Sequence, residues 1–111
     1  MPSPKNAVAP ADPLSPFRVT KGRLVADSDL YWERLPAFEK ACGKLLDSRK
    51  SKLELDFTAV NFISSSFVGC LSTFVIKASR LNKKVLLKVT MDTGWLFEIM
   101  GGQKIVELEV V

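Results

Sequence analysis

The chain has 111 residues, 47% hydrophobic and 25% charged, which suits one domain with a single modest core. It has a formal net charge of +4 and no histidine, which excludes Ser-His-Asp and Cys-His catalysis and removes the commonest metal ligand. Two cysteines, Cys42 and Cys70, are too few for a disulfide framework or a thiolate metal site, and no apolar run reaches the roughly eighteen residues of a membrane span.

Residues 1–16 hold prolines at positions 2, 4, 10, 13 and 16. Proline fixes φ and removes a backbone donor, so this stretch is expected to be a flexible tail. It lacks the apolar core of a secretory signal, which points to a cytoplasmic protein that is not embedded in a membrane. Residues 17–111 are expected to form one folded domain.

Phe17 and Val19 alternate with Arg18 and Thr20, Lys21-Gly22 supplies a turn, and Leu24 and Val25 follow. Two short strands or one bent strand fit this pattern. Ser28 can cap a short turn holding Leu30, Tyr31 and Trp32, with Trp32 expected to lie over an edge of the core. Pro36 suits the first position of a helix, where its missing N–H is not needed. Phe38, Cys42 and Leu45 then form a helical stripe that ends near Asp47-Ser48. Both cysteines are expected to be small buried hydrophobes.

The central stretch runs from Leu53 to Leu81. Leu53, Leu55 and Phe57 alternate with Glu54 and Asp56, the period of a strand with one buried face. Val60, Phe62 and Ile63 lead into Ser64-Ser65-Ser66. Beyond them Leu71, Phe74, Val75 and Ala78 fall on one helical stripe. This is a strand, a short loop and a helix opened by serines, one of which is expected to cap the free amides of the first turn.

Asn82-Lys83-Lys84 makes a turn, and Val85, Leu86, Leu87 and Val89 form a strand suited to the interior of a sheet. Thr90 or Asp92 can cap a helix with Trp95, Leu96, Ile99 and Met100, which Gly101-Gly102 ends. Ile105, Val106, Leu108 and Val110 suggest a last strand. The alternating order implies an α/β domain with a mixed sheet of four to five strands and helices packed against it. Basic residues cluster at Arg49-Lys50-Ser51-Lys52 and at Lys77, Arg80, Lys83 and Lys84. Neither cluster has aromatics within it, so both are expected to be solvated loop charge without a direct nucleic-acid partner.

FISSSFVGCL following LELDFTAV resembles the STAS domain, named for sulfate transporters and anti-sigma-factor antagonists. That family has a strand ending in Asp and then a helix opened by apolar-Ile-Asp-Ser-Ser-Gly-apolar-Gly. Aligned on Ile63 and Gly69, the family's Asp falls on Ser64, its phosphorylatable serine on Ser65, the next small residue on Ser66 and its first Gly on Phe67. Gly22-Arg23-Leu24 resembles the family's Gly-acidic-Leu segment with the charge reversed, and Leu96 or Phe97 with Gly101 approximates its Leu-x-x-x-Gly. Counted back from Asp56, Pro36 falls where the family's first helix begins, which leaves Val25–Leu35 longer than the usual connection.

The resemblance implies a bacterial signalling protein, an anti-sigma-factor antagonist in the control of transcription. It would bind an anti-sigma factor that is also a serine kinase through Ser64, Ser65, Ser66 and Phe67, with phosphorylation at Ser65 as the switch. Phe67 would face inward as core or outward as an interface anchor, and Asp56 would organise the loop. The resemblance also admits an accessory subunit that binds the ATPase of a lipid-trafficking ABC transporter, and a small-ligand sensor with a pocket lined by Trp32 or Trp95. Glu54 and Asp56 share a strand face, but a carboxylate pair without a sugar cleft does not make a glycosidase. A phosphate loop would need a glycine pattern that Gly69 alone does not supply. No enzyme, cofactor or metal is expected.

Overall fold

The computed structural model describes residues 16–99 and 106–111. The expected tail (apart from Pro16), the Gly101-Gly102 helix stop, Met100 and Ile105 lie outside the described residues. The elements are β1 (Phe17–Thr20), β2 (Arg23–Ala26), a 3-10 turn (Trp32–Arg34), α1 (Leu35–Leu46), β3 (Lys52–Phe57), α2 (Ser65–Arg80), β4 (Lys84–Val89), α3 (Met91–Ile99) and β5 (Glu107–Val110). The strands form one mixed sheet in the order β1-β2-β3-β4-β5. β1 and β2 are antiparallel, and the remaining pairs are parallel. The expected α/β class is therefore found, with five strands.

The first segment is a hairpin rather than one bent strand. Lys21 and Gly22 both take positive φ, 43° and 82°, as a two-residue turn between right-twisted strands requires. At Gly22 a side chain would be strained by φ and would meet Lys50 as well.

Register makes one face of the sheet apolar. Leu24 lies beside Leu55, which lies beside Leu87, while Phe57 lies beside Val89 and Leu53 beside Val85. All seven of these β2–β4 positions are buried, at roughly 1.5–3 kcal/mol for each large side chain removed from water. Over them pack Phe38, Ala41, Cys42 and Leu45 of α1 and Phe67, Val68, Leu71, Phe74 and Ala78 of α2. Phe38 is the hub, with ring centroids 5.3 Å from Phe17, 4.9 Å from Phe67 and 6.1 Å from Phe57. The other face carries charge. Arg23 pairs with Glu54 at 2.8 Å and with Asp56, and Lys88 reaches Glu54 at 3.6 Å.

α1 starts one residue earlier than the proline signal implied, because the 3-10 turn runs straight into it and leaves Pro36 second. Cys42 is buried as expected, whereas Cys70 is only half-buried. Trp32 corrects its expectation: at 68% exposure it does not cover the core.

Candidate functional site

The parallel strands deliver the loop Thr58–Ser64 to their C-terminal end, and four anchors hold it. Asp56 starts it: its Oδ1 accepts hydrogen bonds from Thr58 N at 3.0 Å and Thr58 Oγ1 at 2.7 Å, and Arg23 donates to its other oxygen. Burial works to raise the Asp56 pKa, but these hydrogen bonds and the Arg23 charge outweigh it and hold the carboxyl below its ordinary value. Next, the Thr93 hydroxyl at the start of α3 donates to Val60 O. Thr90 Oγ1 accepts from Thr93 N at 3.4 Å, the expected cap of that helix.

The third anchor comes from the long connection after β2. Asp29 Oδ1 accepts from Asn61 N at 2.7 Å and from Phe62 N at 3.1 Å. Leu30 then pairs with Ile63 in a short parallel bridge: Leu30 N donates to Phe62 O at 2.8 Å, and Ser64 N donates to Leu30 O at 3.0 Å. Buried Leu30 and Ile63 fix this bridge from below. The fourth anchor is aromatic: Tyr31 stacks on Phe62 with centroids 5.1 Å apart and planes at 28°. Arg34 braces the connection by donating to Ser28 Oγ and to Asp29 O.

Ser64 occupies the N-cap of α2 with extended backbone, φ −78° and ψ 157°, yet its hydroxyl makes no capping bond. Phe67 N donates instead to the Ser64 backbone oxygen at 3.0 Å, so the first turn closes without the side chain. Ser64 Oγ is left buried and without a partner among the described residues. The expected serine cap is in place by position but not by chemistry. Ser65 and Ser66, the first two residues of α2, are exposed.

Phe67 is fully buried. It cannot act as a surface anchor, because the stripe it begins (Phe67, Val68, Leu71, Phe74, Ala78) faces α1 and the sheet. Of the two orientations open for Phe67, inward as core or outward as anchor, the fold takes the first, and the exposed aromatics are Tyr31 at 47%, Trp32 at 68% and Phe62 at 40%. The signal for these was the overlong connection between Val25 and Leu35, which supplies Asp29, Leu30, Tyr31 and Trp32. Of the expected site residues, the fold leaves Ser65 and Ser66 exposed and Ser64 half-buried next to them with its hydroxyl inside, with Asp56 at the root of the preceding loop and Phe67 buried beneath.

A groove of about 140 Å³ between α1 and α2 is lined by Glu39, Cys42, Cys70, Thr73, Phe74 and Lys77 among others. Burial pushes both thiols' pKa up, so each stays a protonated thiol and a poor nucleophile or ligand. Neither Trp32 nor Trp95 lines this groove; Trp95 is 63% exposed on α3. Among the described residues no group of His, Cys, Asp and Glu is placed to hold a metal ion. No family model matches this chain, and no curated protein matches it.

Proposed function

We propose that this chain is a protein-interaction switch of the STAS type, acting in the bacterial cytoplasm as an anti-sigma-factor antagonist. The observation that carries the reading is the edge at the start of α2. Two exposed serines, Ser65 and Ser66, open α2 directly after a loop held by Asp29 and the Leu30 bridge, beside three exposed aromatics, Tyr31, Trp32 and Phe62. Rigid aromatics next to a fixed polar loop suit a protein partner, since such side chains supply most interface energy at little ordering cost.

The partner in this reading is an anti-sigma factor with serine kinase activity, docking on Ser64–Ser66 with Tyr31 and Phe62 as anchors. Ser65 is the residue it phosphorylates. A phosphate there adds nearly two negative charges at the first turn of α2, where free amides favour an anion. The helix therefore tolerates the modification, while the docked partner meets new charge and bulk at the centre of the contact. Modification ends binding without unfolding the domain.

Two features favour a second reading. Ser64 stands where the resembling family has a carboxylate, and the exposed aromatics need no phosphate to bind. Docking on the ATPase of a lipid-trafficking ABC transporter fits those two features. Affinity purification of the tagged chain from its native host, with partners identified by mass spectrometry, separates the readings. The first expects an anti-sigma kinase that Ser65→Asp fails to capture while circular dichroism stays unchanged. Capture of that kinase equally well by Ser65→Asp contradicts the switch, and capture of an ABC ATPase moves the function to transport.

A further inference from the structure

The opposite end of the sheet gathers charges that lie far apart in the sequence. Lys52 and Lys84 open the neighbouring parallel strands β3 and β4 in direct register. Lys83 Nζ reaches across to Ser48 O and Lys50 O, each at 2.6 Å, and Lys84 N donates to Ser51 O at 2.8 Å. Gly22 packs against Lys50, which brings the hairpin residue Lys21 to the same end. Arg49 lies between Ser48 and Lys50, and Arg80 ends α2. Two acids belong to the segments neighbouring these seven cations: Asp47, which follows α1, and Glu54, whose N–H donates to Gly22 O at 2.9 Å and whose carboxylate pairs with Arg23 and Lys88. Among the described residues none of the seven pairs with a carboxylate, since the ion pairs there use Arg18, Arg23 and Lys88.

Within this basic end lies an exposed apolar side chain. Leu81 is 55% exposed on the turn between Arg80 and Lys83. The turn is rigid: Lys83 N and Leu81 N both donate to Ala78 O, and Asn82 takes φ 59°. In water that leucine gains nothing. A bilayer with anionic headgroups rewards both features, the lysines at headgroup depth and the leucine just below it.

We propose that this end of the domain docks on the surface of an anionic membrane, with Lys50, Lys52 and Lys84 at the headgroups and Leu81 inserted among the acyl chains. A nucleic acid fits less well: this end offers no aromatic for base stacking among its described residues, and Leu81 would face a phosphate backbone. The surface is separate from the serine edge. β3 and β4 place the two ends about 20 Å apart at ~3.3 Å per residue, so both can be occupied at once. The proposal does not rest on the function proposed above.

Cosedimentation of the full chain with vesicles tests it, using phosphatidylglycerol–phosphatidylcholine vesicles against phosphatidylcholine alone. The chain should pellet with the anionic vesicles only, and less so as salt rises. Lys50→Glu/Lys84→Glu should lower partitioning at least roughly thirty-fold, as about five-fold for each lost cation implies. Leu81→Gln should lower it several-fold while leaving the salt dependence intact. All three substitutions are at exposed positions, and circular dichroism verifies the fold. No pelleting with anionic vesicles overturns the proposal, as does pelleting that neither variant reduces. Tighter binding to a duplex DNA at equal phosphate concentration assigns this end to nucleic acid and overturns it equally.

Discussion

Phe62 and Phe67 stand five positions apart on either side of the same three serines, and the fold uses them in opposite ways. Phe67 is fully buried against Phe38 and Phe17, whereas Phe62 is 40% exposed and stacks on Tyr31. The stretch between them is therefore a boundary. Below it the chain is committed to the core, and above it the chain is open to solvent. A surface that rests directly on the core is rigid, and a rigid surface loses little entropy on binding.

Stability should separate the two phenylalanines most sharply. Phe67→Ala removes a hub ring and should cost ~3–5 kcal/mol in urea unfolding, enough to threaten folding in a domain of this size. Phe62→Ala should cost under about 1 kcal/mol while removing partner capture. Comparable losses of stability in the two variants would erase the boundary.

Asp29 should give the next largest effect. Its carboxylate accepts from two backbone amides of the serine loop, and Asp29→Ala leaves both without their acceptor. A loss of ~1–3 kcal/mol is expected, with faster hydrogen exchange at Asn61 and Phe62 and unchanged exchange in β4. Uniform loss of protection would mean that Asp29 supports the whole fold rather than the loop.

Acid should reach the root of the same loop through Asp56. Its folded pKa lies below the unfolded value, so the stability it contributes is fully present above the ordinary carboxylate range near ~4. That contribution is lost as pH falls through the folded value. Asp56→Asn should therefore flatten the acid limb of the stability–pH curve and lower the plateau above it. An unchanged acid limb would remove Asp56 as the source.

Ser64 should give the smallest effect and the one most at odds with sequence rules. Replacing an N-cap serine by Ala ordinarily costs about 1 kcal/mol. Here the hydroxyl is buried and unpartnered, so Ser64→Ala should be neutral or mildly stabilising by chemical denaturation. A loss near 1 kcal/mol would mean that the hydroxyl does cap the helix in solution.

The parts legible in the sequence were those set by local period. Alternation through Leu53, Leu55 and Phe57 placed β3, and the stripe through Leu71, Phe74 and Ala78 placed the buried side of α2. Lys21-Gly22 marked a turn that positive φ makes a hairpin. What stayed hidden depends on contacts between distant residues. The bond from Phe62 N to Asp29 spans thirty-three positions, and nothing local to either residue announces it. The same holds for the basic end: the clusters around Lys50 and Lys84 looked like separate solvated loops until the β3–β4 register joined them. Ser64 failed its expectation for a local reason, since the Phe67 amide found the Ser64 backbone oxygen first.

In the proposed function, a protein partner docks on the serine edge with Tyr31 and Phe62. Hydrogen–deuterium exchange of the chain alone and with its captured partner tests this most directly. New protection is expected across Asn61–Val68 and Tyr31–Arg34, with none added at Ser48–Lys52 or Leu81–Lys84. Protection confined to those basic turns, with the serine edge unchanged, would contradict it.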